Sequence, residues 1–396
     1  MKFIKRILAI VAILLISFEL ILQISNKLYV NRLLRDTVFS GKMGPDIYEL
    51  NLFQYNTIGS DTPQPWPIAK FDKPYQLPDS SLKLLDEYET DYLLVIKDKH
   101  IIYEYTNAEI DHQKNEPVNS FSMAKSFTGL LIGCALLDGY INSLDDAIKI
   151  YIPEWANDSR GNITIRNLLS MSSGLAYNEN YASPFSWPAE AYYGPDVNKL
   201  TLSGELIDTP GTKWSYKGGD SQLLGIILKR VTGKSVAQYA SDRLWKPMGA
   251  EFPAYWSTDE RGMEKVSCCW YSFARDFARS GRLMMQYGKW NNRQLIDSAY
   301  IAESITPAPV MDENGMPNNK YGYQWWLMQH RGHDIFYARG IRGQYILCIP
   351  DENMIVVRLG HKRAPKAGHN VPVDVYTYLD VGFDCARNYA LPASFK

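Results

Sequence analysis

Apolar residues fill the opening of this chain. The basic start MKFIKR runs into ILAIVAILLISFELILQIS, long enough for a bilayer-crossing helix, which needs roughly 20 apolar residues. Glu19 and Gln23 interrupt its second half, and no small-x-small cleavage site follows. The pattern predicts an uncleaved anchor first, a cleaved signal second, and a buried or interfacial helix third. Lys27, Arg32 and Arg35 offset the basic residues before the stretch, so charge alone does not orient it. Residues 28 to 80 carry Pro, Asp, Gly and Asn punctuators without a sustained period, which predicts an irregular arm.

Periodic segments then appear. SSLKLLDEYE reads as a helix, and DYLLVIKDKHIIYEY as two strands around a KDKH turn. MAKSFTGLLIGCALLDG has helix length and ends near Gly139. ITIRNLLSM, SQLLGIILKRV, VAQYASDRLW and SFARDFARSGRLMMQYG continue the helical series. In SQLLGIILKRVTG, Leu223, Leu224, Ile227, Leu228 and Val231 recur at helical spacing, and Gly233 closes the run. Strand character returns in YGYQWWLMQ, DIFYARG, QYILCIP and MIVVRLG, with PDEN as a turn, and VPVDVYTYLDVGFDCARNYA predicts a terminal helix. Early strands, a helical middle and late strands predict one sheet shared by both chain ends. Residues far apart in sequence would then meet in one cleft.

Composition narrows the function classes. A chain of 396 residues can bury a large core, and a formal charge of -1 argues against a dedicated nucleic-acid binder. Its 27 Tyr and 10 Trp suit a packed body with polar-tipped clefts. The cysteines, Cys134, Cys268, Cys269, Cys348 and Cys385, lack metal-ligand spacing, and adjacent Cys268 and Cys269 are not expected to bridge each other. One long-range bridge stays open. His330, His333, His361 and His369 have no HExxH-like arrangement and read as surface or loop histidines.

Candidate chemistry begins in NSFSMAKSFTGLLIG, where Ser122 precedes Lys125 by three positions and so shares a helix face with it. A serine hydroxyl is a weak nucleophile until a neighbour takes its proton. A lysine does so when burial or the positive end of a helix favours its neutral form. Apolar Ala124, Phe127, Leu130 and Leu131 supply that burial here. A second Ser-x-x-Lys, Ser80 and Lys83, lies among acidic residues and reads as exposed. In PGTKWSYKGGDSQLLG, Tyr216 sits in a loop before a helix, placed either to relay a proton or to form a hydrogen-bonded wall. In DIFYARGIRGQ, Gly340 and Gly343 permit close backbone approach, and a strand edge from Ala338 to Ile341 would offer an N–H to an oxyanion. Arg339 and Arg342 are either anion clamps or solvent-facing charges.

FSMAKSFTG, ITIRNLLSMSSGL, PGTKWSYKGGDSQLLGIILKRVTG, FARDFARSGRLMMQYG and YARGIRGQ, in that order, resemble the serine β-lactamase and penicillin-binding-protein superfamily. The likeness is to its class C-like branch of esterases, peptidases and 6-aminohexanoate-dimer hydrolases. It implies an α/β (α+β) β-lactamase/transpeptidase-like fold, an antiparallel sheet from both chain ends flanked by helices. The likeness covers residues 85–385 as a hydrolase domain, helical at about 140–320, and with the patterns above leaves an anchor or signal (1–27), an arm with a lead-in helix (28–84) and a tail (386–396). It also implies a catalytic body outside the cytoplasm.

By the same resemblance Ser122 matches the acylated nucleophile, Lys125 its base and Tyr216 the second-motif tyrosine. The N–H groups of Ser122 and Ile341 match the oxyanion donors. Gly340, Arg339, Arg342 and Gln344, with Tyr177, Tyr181 and Trp187 of the aromatic 176–200 stretch, are substrate-binding candidates. Two positions depart from the pattern: Gly218 replaces the Asn of Tyr-x-Asn, and Ala338 replaces the Lys or His of the third motif. A β-lactam carboxylate loses a partner there, so a small amide or ester is the expected substrate, with no metal or organic cofactor. The alternatives are a penicillin-interactive D-amino-acid peptidase or β-lactamase, and a non-enzymatic membrane-anchored sensor.

Overall fold

The computed structural model describes residues 2–71, 75–108, 116–366 and 371–389; His369 and the end of the tail, 390–396, lie outside them. Helix α1 (Lys2–Ile24) is exposed along almost its whole length, Leu22 being its one buried residue. It is long and apolar enough to cross a membrane. A core helix would bury a face; this one does not.

The arm is more ordered than its composition predicts. Tyr29–Asp36 forms helix α2, with Tyr29 and Val30 buried against the body. Eight residues are too few for a period to stand out, so the contacts rather than the pattern make this helix.

Six strands form one antiparallel sheet: β1 (Thr90–Lys97), β2 (His100–Thr106), β3 (Trp326–His330), β4 (His333–Gly340), β5 (Gln344–Ile349) and β6 (Met354–Gly360). Their order is β3-β4-β5-β6-β1-β2, so the early hairpin completes the late sheet, as the strand pattern predicts. Asp98 and Lys99 turn the first hairpin with φ of 50° and 67°, the left-handed pair that suits a two-residue connection. Alternate residues feed two cores. Leu93, Val95, Leu347 and Val356 pack on one face with Val375 and Leu379, while Leu94, Ile96, Ile346 and Val357 join the helical middle on the other. Both faces are buried, which explains strands that read as nearly unbroken apolar runs.

The helices that matter to the site are α3 (Ala124–Leu137), α4 (Trp187–Tyr193), α5 (Gly218–Thr232) and α6 (Ala274–Met285); α7 (Val373–Arg387) covers the opposite face. A second, four-stranded sheet was not legible in the sequence. It joins Tyr55–Ile58, Ala254–Ser257, Trp270–Ser272 and Val118–Asn119 in that order. Its last two strands, short and widely separated, pair Val118 with Ser272 and Asn119 with Tyr271. That pairing sets the turn bearing Ser122 beside the loop that precedes Trp270.

The arm is fastened by His361. Its Nδ1 lies 3.1 Å from Asp46 Oδ1 and its Nε2 3.0 Å from Asp91 Oδ2, and Tyr48 donates to the same Asp91 oxygen at 2.7 Å. Far from being a plain loop histidine, it joins the arm to β1. Burial disfavours its cation, but the two carboxylates outweigh that and push its pKa up to about 9. Because the folded value is raised, this contribution to stability is complete below about 6.5 and is lost as pH rises through about 9. The urea midpoint of the protein is therefore expected to fall from pH 7 to pH 10 more steeply than that of His361→Gln. Parallel profiles would remove the charged bridge from the account.

Candidate active site

Ser122 lies in the 3-10 turn Phe121–Met123 that leads into α3. The turn is held from behind: Ser120 N–H donates to Trp270 O at 2.8 Å, and Phe121 N–H to Asn119 Oδ1 at 2.9 Å. Phe121 adopts φ of 44°, a conformation that costs a non-glycine residue energy and that the second sheet compels. Lys125, one turn along, is 3% exposed. Its Nζ donates to Ser122 Oγ at 3.2 Å and to Ser267 O at 2.6 Å. The other Ser-x-x-Lys pair, Ser80 and Lys83, is exposed on its helix. Burial separates two identical spacings.

Tyr216 approaches from the loop before α5, its ring centroid 5.2 Å from Lys125 Nζ. Trp214, Tyr321 and Trp326 surround the ring, with Trp326 at 5.2 Å between centroids. Lys217 points away, donating to Leu175 O at 3.0 Å. Gly218 shows why the second motif has lost its amide: a Cβ there would stand 2.2 Å from Trp187 Cζ3. Trp187 fills the space a side chain at 218 would need.

The third segment reaches Ser122 from the sheet. Ala338–Gly340 run beyond the start of β3 and, among the described residues, pair only with β5, leaving their other edge clear of strands. Gly340 is required because a Cβ would lie 2.3 Å from Ser120 O. The strand stops there, and Ile341–Gly343 form a 3-10 turn instead of extending the edge. Ser122, Lys125 and Ile341 line one cavity of about 550 Å³, together with Tyr181, Trp187 and Arg342.

Other predicted contacts are engaged with the fold itself. Gln344 is fully buried and exchanges bonds with Gly360, donating to its carbonyl at 2.6 Å and accepting from its N–H at 3.1 Å. Arg339 stacks on Trp326, with Cζ 3.7 Å from the ring centroid. Arg342 lines the cavity but gives its guanidinium to Pro45 O and His361 O, at 2.6 and 3.1 Å. Tyr177 donates to Thr201 O at 2.8 Å and packs its ring on Gly219.

Three features escaped sequence reasoning. Glu179 accepts from Gly218 N–H at 2.7 Å, and burial raises its carboxyl to about 7 against the opposing pull of that N–H and Lys125. Its other oxygen is buried, and the nearby Tyr181 hydroxyl also pulls the carboxyl down. Tyr181 is half exposed, and the pKa of its hydroxyl is pushed well up, first by burial and then by Glu179 and Tyr216. A carboxylate two positions before an aromatic residue in NENY is the one signal that pointed here.

The second feature is a bridge between Cys268 and Cys269, which corrects the expectation that neighbours stay apart. Cys269 has φ of 70°, turning the chain sharply enough for the two sulfurs to meet. Ser257 N–H and Trp256 Nε1–H hold the turn through the carbonyls of Cys269 and Cys268. Ser267, which holds Lys125, immediately precedes the bridge. Cys134, Cys348 and Cys385 are free and buried, so no long-range bridge exists among the described residues. The third feature is the arm: Leu33, Leu34, Val38 and Met43 form part of the cavity wall.

A sheet closed from both chain ends, facing a buried helix that begins at Ser-x-x-Lys, defines a hydrolase of the β-lactamase/transpeptidase-like fold. The chain belongs to the β-lactamase family, whose profile, described as Beta-lactamase, matches residues 83–373. It is 25% identical over 324 residues to the 6-aminohexanoate-dimer hydrolase of Paenarthrobacter ureafaciens, covering 76% of this chain and 80% of that protein. The solved "putative 6-aminohexanoate-dimer hydrolase from Bacillus anthracis" superposes with a TM-score of 0.71 at 24% identity, over 86% of this chain and 92% of that one. A D-stereospecific amidohydrolase from Streptomyces sp. shares the fold at a TM-score of 0.59 and 16% identity, over 78% and 99% of the two chains.

Proposed function

We propose that this protein cleaves a small amide or ester through an acyl-serine intermediate. The observation that carries the reading is the Lys125 Nζ to Ser122 Oγ hydrogen bond at the wall of an apolar cavity. In its neutral form Lys125 takes the Ser122 proton, and Tyr216 shares the relay. Ser122 Oγ attacks the carbonyl carbon, and the N–H groups of Ser122 and Ile341 receive the developing oxyanion. The proton returns through Tyr216 to the departing amine or alcohol. Water then attacks the acyl-enzyme along the same route, releasing the acid and restoring the serine proton.

Substrate class follows from what the cavity lacks. Ala338 is fully buried and offers no cation, Arg342 is already bonded to two carbonyls, and Lys42 at the wall is paired with Glu49 and Asp46. A carboxylate-bearing β-lactam finds little to hold it, whereas an uncharged acyl group needs no such partner. Helix α1 serves as a membrane anchor, with the catalytic body outside the cytoplasm.

A fluorophosphonate probe, with its adduct located by peptide mass, tests the nucleophile. Modification at Ser122 is expected, along with turnover of members of an ester, amide and D-amino-acid panel. Stable labelling by penicillin without turnover of the panel would overturn the preference for amides and esters.

A further inference from the structure

The cavity at Ser122 is roofed by the segment that leaves α1. Leu33 and Leu34 of α2, then Val38 and Met43, line it together with Trp187 and Tyr181. Two contacts fix this roof to the far wall. Lys27 pairs with Glu190 of α4, and Tyr29 Oη donates to Pro184 O at 3.0 Å. The roof is thus part of the folded site, tied down at the point where α1 ends.

The rim is unusual for a face open to water. Val38 is 61% exposed, Phe39 79%, Met43 103% and Phe185 52%. Val38 and Met43 line the cavity, Phe39 follows Val38 in the chain, and Phe185 lies between the lining residues Pro184 and Ser186. Leu33 follows Ile24 by nine positions. Even a fully extended chain would carry the roof no more than about 30 Å from the end of the apolar helix. The tether therefore lets the apolar rim reach the interfacial layer of a bilayer.

Resting on the acyl-serine reading above, we propose that the cavity receives the hydrocarbon chain of a membrane-borne acyl ester or acyl amide. The chain enters over the rim of Val38, Phe39 and Met43 and lies between α2 and α4, with its carbonyl at Ser122. The bond from Ser122 Oγ to the acyl carbon forms as the bond from that carbon to the head-group oxygen or nitrogen breaks. The serine proton passes through Lys125 to the departing head group. Water later supplies the hydroxyl that frees the fatty acid and the proton that returns to Ser122. The cavity, about 550 Å³, lies within the usual range for a bound small molecule, roughly 300–1,000 Å³. No ionic partner for a polar acyl group is needed.

The test uses the full-length protein in vesicles and a series of ethyl, butyl, octyl and octadecyl fluorophosphonates. The rate of adduct formation at Ser122 is expected to rise about three- to fourfold per methylene until the cavity is full. The octadecyl probe embedded in the bilayer should react as well as the octyl probe does. Leu34→Trp, which fills the cavity, and Val38→Asp, which charges its exposed mouth, should each lower the octyl-to-ethyl rate ratio at least tenfold. The second variant replaces an exposed side chain, so it reports even if the first does not fold. A flat series with a reactive ethyl probe would overturn the acyl-chain inference and leave the acyl-serine reading intact. Reaction with octyl but not embedded octadecyl probe would overturn delivery from the membrane.

If no probe labels Ser122, the acyl-serine reading fails first. Saturable binding of a fluorescent fatty acid to Ser122→Ala, weakened by Val38→Asp, would still support the cavity's role. Absence of that binding would overturn it.

Discussion

Alanine at position 122 is expected to lower hydrolysis by roughly 10⁴- to 10⁶-fold and to abolish the fluorophosphonate adduct, while leaving the urea midpoint nearly unchanged. The size follows from chemistry. Among the described residues no other hydroxyl in this cavity has a buried lysine donating to it, so loss of Oγ removes the proposed covalent route rather than weakening it. What survives would come from binding and the oxyanion N–H groups. The small effect on folding follows from the contacts. The turn is held by the Ser120 and Phe121 N–H groups, and Lys125 retains Ser267 O at 2.6 Å when the serine is gone. Single-turnover rates, adduct mass and denaturation on the same preparation check all three parts. An adduct of unchanged rate in the variant would remove Ser122 as nucleophile.

Putting the family's asparagine back at 218 should damage this protein. The Cβ would meet Trp187 Cζ3 at 2.2 Å, an atom within a rigid ring that is 5% exposed. Overpacking of this kind costs about 1–3 kcal/mol, and the rest of the asparagine side chain adds to it. The displaced ring is also cavity wall, so KM is expected to rise together with the loss of stability. Trp187→Ala alone leaves a void and destabilises by about 3–5 kcal/mol. In the double variant the void admits the asparagine, and the combined loss should fall short of the sum by about 0.5–3 kcal/mol. Urea titrations of the four proteins with equal m-values measure this directly. Additive losses would mean that Trp187 and position 218 do not compete for the same space.

This interlock also shows what a sequence conceals. The departure at Gly218 is visible in the string, but its partner lies 31 positions earlier in a stretch without periodicity. The sheet was legible because β-branched runs with sharp turns leave few other options, and Ser122/Lys125 because apolar neighbours announced burial. Gln344 is ambiguous in sequence because a polar residue at a strand start reads the same whether it faces a ligand or, as here, bonds to Gly360. Glu179 was missed because its carboxylate meets Gly218 across a long loop. Leu33 and Leu34 escaped because eight residues of helix carry too little pattern. Each miss is a contact between segments that no local rule connects.

The closing of the sheet sets a schedule for folding. Lys97 of β1 bonds to Glu352, a partner 255 positions away, and β1 and β2 have no other sheet to join. Contacts that distant slow folding, because loop closure precedes any gain from pairing. Until β6 arrives, the apolar hairpin Thr90–Thr106 presents an open edge, the kind of surface that aggregates. The Ile341 turn also arrives late, so a partly made chain carries Ser122 without its companion. On the acyl-serine reading proposed above, such a chain is expected to be inactive until its last third has joined the sheet.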